Sequence, residues 1–266
     1  MQITLNNQTL DEEAIQLIQA IVEDNTAFVG LSGGKDSTVV EDLVKRSTVK
    51  AEYHYHRTGL DAPETIKFIR ETYPNCVFDI PDRTFWQGAM SNGFPLRRQR
   101  WCCAELKECF GKGRIIVDGV RCGESNQRKA RKCFEPAIND PATFFLHPIF
   151  KWSTSDVWQY IDERHLPHNP LYYSNGKRVP SRRIGCILCP FTTQQECHRQ
   201  MVLFPGFVKL YRYYAEQYIR VRIDRGTPLT QKTGDEYFEW WLSMHEGGKR
   251  NIGITNLYGE NILVLI

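Results

Sequence analysis

The chain has 266 residues, 41% of them hydrophobic and 24% charged, a balance that fits a folded protein with one sizeable core and excludes intrinsic disorder or a collagen-like repeat. Lys and Arg number 34 against 31 Asp and Glu, a net charge of +3, so an anion site has to come from local clustering rather than from the overall field. No run approaches the roughly 18 to 20 apolar residues of a membrane helix, and Met1-Gln-Ile-Thr-Leu-Asn-Asn lacks the basic and apolar regions of a signal peptide, so a cytoplasmic protein with no membrane partner is expected.

Apolar residues at Ala14, Leu17, Ile18 and Ile21 share one helical face, which predicts a helix from Leu10 to Val22 with Asp11 near its start. Thr26 to Ser32 reads as a short buried strand, Gly33 and Gly34 as a turn, and Asp36 to Lys45 as a helix carrying Val39, Val40, Leu43 and Val44. Ala51–His56 is a second predicted strand, Pro63–Thr72 a helix, Val77 to Ile80 a third strand and Arg114 to Val120 another. Strands alternating with helices predict an α/β fold, Rossmann-like, with a mainly parallel sheet and flanking helices.

Beyond Trp152, Ser153 to Arg164 reads as a capped helix with Asp156 in its first turn. A polar stretch rich in Pro, Asn, Gly, Arg and Cys follows to about Thr193, and long loops of this kind often carry function. Gln194 to about Arg225 is predicted helical, with Phe207, Tyr211, Tyr214 and Tyr218 on one side, then Asp235 to Glu246, and Ile262 to Ile266 as a terminal strand. The expected organisation is an α/β region over 1–193, including the cysteine-rich loop, and a helical extension over 194–266 packed on it as one unit.

Ser32-Gly33-Gly34-Lys35-Asp36-Ser37 sits between the first strand and its helix, where backbone N–H groups and the positive end of the helix dipole favour an anion. Glycines admit phosphate oxygens to the backbone, and Ser32, Lys35 and Ser37 add donors. A Walker A loop would need Gly at Val29 and Ser or Thr at Asp36, so that pattern is excluded. The bland alternative is an ordinary strand-to-helix turn.

Nine cysteines, an odd number without an export signal, argue against a disulfide framework. Cys102-Cys103 and Cys186-Ile-Leu-Cys189 are the pairs that could converge on one centre. Arg97, Arg98, Arg100, Lys107, Arg182 and Arg183 would lower their thiol pKa values. Soft sulfur ligands leave structural zinc and an iron–sulfur cluster as credible centres, and four unrelated buried thiols as the bland reading. Cys76, Cys109, Cys122 and Cys133 read as packing residues.

The Ser32–Ser37 hexapeptide resembles the pyrophosphate-binding loop of the adenine-nucleotide α-hydrolase-like superfamily. Thr58-Gly-Leu-Asp-Ala-Pro-Glu-Thr65, Gly119-Val-Arg-Cys-Gly-Glu-Ser-Asn-Gln-Arg128 and Pro148-Ile-Phe-Lys-Trp-Ser-Thr-Ser-Asp-Val-Trp158, running into Asn169-Pro-Leu-Tyr172, narrow the resemblance to the phosphoadenosine phosphosulfate (PAPS) reductase family. It spans roughly residues 26 to 195. It implies that Ser32 to Ser37 hold the phosphates or sulfate of an adenine nucleotide and that Thr58 and Gly59 border the adenosine pocket. Arg121, Glu124 and Arg128 would form part of an anion-facing wall, with Lys35, Arg121 and Arg128 as the catalytic cations. A solvated basic face is the alternative for the last two arginines. The family commonly has Asp before Thr-Gly, where this chain has Arg57.

Cys-Cys before Leu106-Lys107, joined to Arg183-Ile-Gly-Cys-x-x-Cys-Pro190, resembles the [4Fe-4S] subset of the family, which includes adenylylsulfate reductases and DndC-type DNA-phosphorothioation proteins. That likeness implies a cluster on Cys102, Cys103, Cys186 and Cys189. The reductases use a cysteine in a C-terminal Glu-Cys-Gly-(Ile/Leu)-His segment, whereas the cysteine nearest the end of this sequence is Cys197, in Gln195-Glu-Cys-His198. The expectation is a nucleotide-activating enzyme that cleaves ATP between the α and β phosphates, with Mg2+ bridging phosphates and a sulfur donor or thiol reductant protein as partner. A sulfonucleotide reductase using Cys197 or a partner's thiol, and a nucleotide-binding accessory subunit of a nucleic-acid-processing complex, are the alternatives.

Overall fold

The computed structural model describes residues 8–245 and the backbone of Ile254–Thr255 and Asn261–Ile262. The chain divides into two units, Met1–Gly88 with Trp101–Ile187 and Ala89–Arg100 with Leu188–Ile266. The second division falls inside the Cys186-x-x-Cys189 turn.

In the first unit the elements run α1 (Leu10–Val22), β1 (Ala27–Gly30), α2 (Lys35–Ser47), β2 (Ala51–His56), α3 (Pro63–Thr72) and β3 (Val77–Asp79). Then come α4 (Phe85–Asn92), which crosses into the second unit, α5 (Trp101–Leu106), β4 (Ile115–Val117), α6 (Asn126–Lys129), β5 (Phe134–Ala137), β6 (Asp140–Leu146) and α7 (Thr154–Glu163). A small hairpin, β7 (Tyr173–Ser174) with β8 (Lys177–Arg178), interrupts the polar stretch.

The sheet has six strands in the order β3-β2-β1-β4-β6-β5. All neighbours are parallel except β5 against β6. This confirms the α/β Rossmann-like arrangement. From β1 the chain moves one way to β2 and β3, then returns to lay β4 on the other side of β1. The order therefore reverses between β1 and β4, and the loops leaving their carboxyl ends flank the crevice where open α/β sheets bind ligands.

The valines that gave α2 its helical face are fully buried with Ala14, Ile18 and Val22 of α1, Val29 of β1, Val117 of β4, Leu146 of β6 and Val157 and Ile161 of α7. Helices α1, α2 and α7 thus share this apolar core with the strands. Leu31, Tyr55, Phe68, Ile69 and Tyr73 form a separate cluster under α3. Ser153 and Asp156 cap α7 reciprocally, the Asp156 amide donating to Ser153 Oγ (3.1 Å) and the Ser153 amide to Asp156 Oδ2 (2.8 Å). Strands β5 and β6 and helices α4 and α5 were not expected from periodicity. β5 holds Pro136, which a sheet tolerates there because β5 is an edge strand.

The second unit contains α8 (Gln194–Leu203), α9 (Pro205–Asp224), α10 (Gly234–Ser243) and the paired fragments β9 (Ile254–Thr255) and β10 (Asn261–Ile262). The single helical stretch expected from 194 to 225 is two helices. Pro205 has no N–H and restricts Phe204 to φ −125°, ψ 58°, so α8 stops and Pro205 opens α9. Of the aromatic side expected on α9, Tyr211 and Tyr218 are buried, and Tyr211 stacks on Trp241 with centroids 5.0 Å apart. Of the terminal strand expected over Ile262 to Ile266, residues 263–266 lie outside the described residues. Among the described residues no helix is long and apolar enough to cross a membrane.

Candidate functional site

Leu31 still pairs with the sheet, its amide donating to His54 O (2.7 Å), and the chain then turns into α2 through Ser32 to Gly34. Gly33 lies at φ +71°, and a Cβ there would meet Thr65 Cγ2 at 2.8 Å, so glycine is required both for backbone sign and for space. The Ser37 hydroxyl donates to Gly34 O (2.9 Å), and Ser32 Oγ lies 3.1 Å from Ser37 Oγ. The two serines and Gly34 form one hydrogen-bonded cradle at the N-terminus of α2.

Two N–H groups of this turn already have side-chain acceptors. The Gly34 amide donates to Ser32 Oγ (3.3 Å) and the Lys35 amide to the Tyr172 hydroxyl (2.8 Å). Asp36 and Ser37, in the first turn of α2, have no intrahelical acceptor for their amides. Tyr172 is itself buried, and burial is the main cause pushing its phenol pKa upward, so it stays a neutral hydroxyl.

Charge in the cradle is organised around Asp36. Lys35 Nζ lies 2.7 Å from Asp36 Oδ2 and Arg121 Nε donates to Asp36 Oδ1 at 2.7 Å. Arg121, only 4% exposed, is pinned further by donating to Trp152 O (3.2 Å). It reaches the cradle because the turn after β4 abuts α2: a Cβ on Gly119 would lie 2.9 Å from the Asp36 backbone. The sequence-predicted loop and Arg121 therefore come together, across the reversal between β1 and β4.

The other predicted residues join less directly. Glu124 accepts from the Arg121 amide (3.0 Å) and pairs with Arg128, whose guanidinium is more than a third exposed. Thr58 and Gly59 follow β2, where Asp61 accepts from the Thr58 amide (2.9 Å), the Thr58 hydroxyl (2.9 Å) and the Gly59 amide (3.2 Å). Arg57, beside them, has a buried Nε without a hydrogen-bond partner.

Asn169 was missed. It is buried, donating through Nδ2 to Gly33 O (3.2 Å) and Thr65 Oγ1 (3.0 Å) while its Oδ1 accepts from the Leu171 amide, so it locks the loop to α3. Tyr172 and Asp61 were missed as well. Asn169 and Tyr172 lie more than 130 positions from the loop they hold, and no local periodicity connects them.

Cys102 and Cys103 lie on α5, and the Cys186 thiol donates to Thr58 Oγ1 (3.6 Å) while the Ile187 amide donates to Leu60 O (2.8 Å). Among the described residues there is no group of three or more His, Cys, Asp or Glu side chains placed to hold a metal ion. Cys189 and Cys197 belong to the second unit. Cys197 is buried on α8, and burial, reinforced by the nearby Cys189 and Glu196, pushes its thiol pKa up to about 12.

Residues 26–192 match the phosphoadenosine phosphosulfate reductase domain. The chain belongs to this family. It is 31% identical over 197 residues to an uncharacterized protein of Methanocaldococcus jannaschii, covering 68% of this chain and 44% of that protein. It is 30% identical over 173 residues to the adenosine 5'-phosphosulfate reductase of Oceanobacillus iheyensis, covering 59% of this chain and 68% of that one. The chain spans less than half the length of the Methanocaldococcus relatives it matches. Among solved structures, a phosphoadenylyl-sulfate reductase from Candida auris, in a phosphate complex, aligns over 67% of this chain and 99% of its own at 16% identity, with a TM-score of 0.45.

Proposed function

We propose that this PAPS reductase-family protein binds the phosphates of an adenine nucleotide in the Ser32–Ser37 cradle and activates an acceptor by cleaving ATP between its α and β phosphates. The observation that carries this reading is that Lys35 and Arg121 both pair with Asp36, in the first turn of the helix that follows Gly33-Gly34, at the sheet's reversal point. An acceptor oxygen attacks the α-phosphorus, the bond from that phosphorus to the bridging oxygen breaks, and pyrophosphate leaves with the electron pair. Lys35, Arg121 and the open amides of the first turn of α2 stabilise the charge that develops on the leaving group, with Arg128 at the rim. Thr58 and Gly59 border the nucleoside. An adenylated acceptor is the chemistry that prepares a carbon or phosphorus centre for sulfur transfer from a donor protein.

Lys35 and Arg121 both pair with Asp36. Mg2+ would be held by the substrate's own phosphates, where it withdraws charge from the oxygens. Cys102, Cys103, Cys186 and Cys189 have the soft donor chemistry of a [4Fe-4S] cluster, or of zinc as the alternative, but no metal-holding group is gathered among the described residues. The cluster reading rests on the sequence pattern, and no step passes through it.

The second reading is sulfonucleotide reduction, favoured by the relatives named adenosine 5'-phosphosulfate reductase. Cys197 is an unsuitable nucleophile for it, because a buried thiol with a pKa near 12 holds almost no thiolate at neutral pH. A partner's thiol would have to attack. The accessory-subunit reading draws only on the basic stretches 97–100, 128–132 and 177–183.

Anaerobically purified protein, assayed for iron and sulfide, is to be incubated with ATP and Mg2+ and, separately, with adenylylsulfate or PAPS plus thioredoxin. AMP and pyrophosphate formation that falls at least about 100-fold in Lys35→Met and Arg121→Met supports the first reading. Sulfite release without ATP cleavage replaces it with the second. Nucleic-acid binding that survives Lys35→Met, with neither activity, replaces both with the third. A colourless zinc protein overturns the cluster.

A further inference from the structure

Strands β4 and β6 run parallel in the register Val117↔Leu146, so Asp118 and His147 leave the sheet side by side at its carboxyl edge. His147 is wholly buried, with Phe145 and Phe150 as neighbouring rings. Its Nδ1 lies 2.6 Å from Asp118 Oδ1. Asp118 Oδ1 also accepts from the Val120 amide at 2.9 Å. A carboxylate oxygen accepts only, so Nδ1 carries the proton and donates. On the other side of the ring, Nε2 has no hydrogen bond, and Glu135 Oε1, paired with Arg131, stands 3.9 Å away. Burying an imidazole nitrogen unsatisfied is costly, so the tie to Asp118 is what the ring is there to make.

That tie reaches the anion cradle through backbone. Val120 stands between Gly119 and Arg121 in the loop that follows β4. Gly119 is packed against the Asp36 backbone too closely for a Cβ, and Arg121 donates to the Asp36 carboxylate. The Cys122 amide donates to Phe150 O (2.8 Å), which closes the same loop from beyond.

We propose that His147 is a positioning residue for the anion wall. By holding Asp118 it fixes the Val120 amide, and with it the place of Arg121 against the phosphate cradle. The inference rests on the reading that nucleotide phosphates bind at Ser32–Ser37.

The test titrates wild type, His147→Asn and His147→Leu with ATP and with inorganic pyrophosphate, alongside thermal melts. The Asn amide nitrogen falls where Nδ1 stands, so His147→Asn is expected to bind both probes within about threefold of wild type, and His147→Leu roughly tenfold more weakly, as displacement of a binding group predicts. In an Asp118→Leu background the further change His147→Leu should cost nothing, because the tie it removes is already gone.

A wild type that binds both probes while His147→Leu binds equally well overturns the positioning role and leaves the nucleotide reading intact. Equal weakening in the Asn and Leu variants, tracking their melting temperatures, also overturns the role, since it reduces His147 to packing. A wild type that binds neither probe overturns both. Should His147→Leu not fold, Asp118→Ala against Asp118→Asn reads the tie from its other end: weakening in Ala with retention in Asn supports it, and equal effects overturn it.

Discussion

The Tyr172 hydroxyl accepts a hydrogen bond from the Lys35 amide at 2.8 Å, so a buried side chain occupies the first N–H of α2, the helix that follows the Gly33-Gly34 turn. A phosphate bound as proposed would find that amide engaged and would have to share it or settle on the amides of Asp36 and Ser37. On the proposed reading, Tyr172 would both shape the cradle and compete mildly with a phosphate for the Lys35 amide.

Replacing it tests that dual role. Tyr172→Phe leaves the Lys35 amide unsatisfied in the absence of ligand, at a cost of about 1–2 kcal/mol, and lowers Tm by roughly 2–6 °C. ATP affinity should hold or improve slightly, because the competitor is gone. Calorimetric titration beside a thermal melt separates the two effects. A large loss of affinity with an unchanged Tm would show that Tyr172 contacts the nucleotide instead.

Gly33→Ala places a side chain at φ +71° with its Cβ 2.8 Å from Thr65 Cγ2. Left-handed strain and the clash together should destabilise the fold by about 1–3 kcal/mol and shift the Asn169 and Ser37 contacts that define the cradle. Gly59→Ala is the control. It too has positive φ, at +77°, but has nothing within 4 Å, so it should show strain alone and a smaller drop in Tm.

His56 predicts how stability depends on pH. Burial, only partly opposed by the Asp79 carboxylate, lowers its pKa to about 4, against 6.5 for the free side chain. The unfolded chain then binds more protons than the native one between these values, so its contribution is fully present above about pH 6.5. It is lost progressively as pH falls toward 4. His56→Gln should flatten that part of the Tm against pH curve relative to wild type. A difference curve that is level from pH 7 to pH 4 would show that the ring is not buried as a neutral group.

Cys197 should be chemically silent in the native protein. With its pKa pushed up to about 12 by burial, iodoacetamide at pH 7.5 is expected to label it at least about 100-fold more slowly than in urea, as read by mass spectrometry of its peptide. Rapid native labelling would restore it as a candidate nucleophile for sulfonucleotide reduction.

Much of the frame was legible because it is local. The apolar spacing of α1 and α2, the Ser153–Asp156 cap and the glycine turn between β1 and α2 are each decided within a few residues, and they stand where the sequence puts them. Pro205 was equally local, and the break it makes between α8 and α9 could have been read from the ring's missing N–H. The edge strand β5 was hidden because Phe134-Glu-Pro-Ala137 lacks a clean alternation and is held by its pairing with β6.

The sequence by itself determined the α/β frame and the glycine turn that leads into α2, since each follows from residue types at fixed short spacing. Only the tertiary structure decided what those groups touch. The pairing of Arg121 with Asp36, the capture of the Lys35 amide by Tyr172 and the burial of His147 against Asp118 join residues dozens of positions apart. Such contacts depend on strand order, on the reversal between β1 and β4 that brings two loops face to face, and on how closely a glycine lets one backbone approach another.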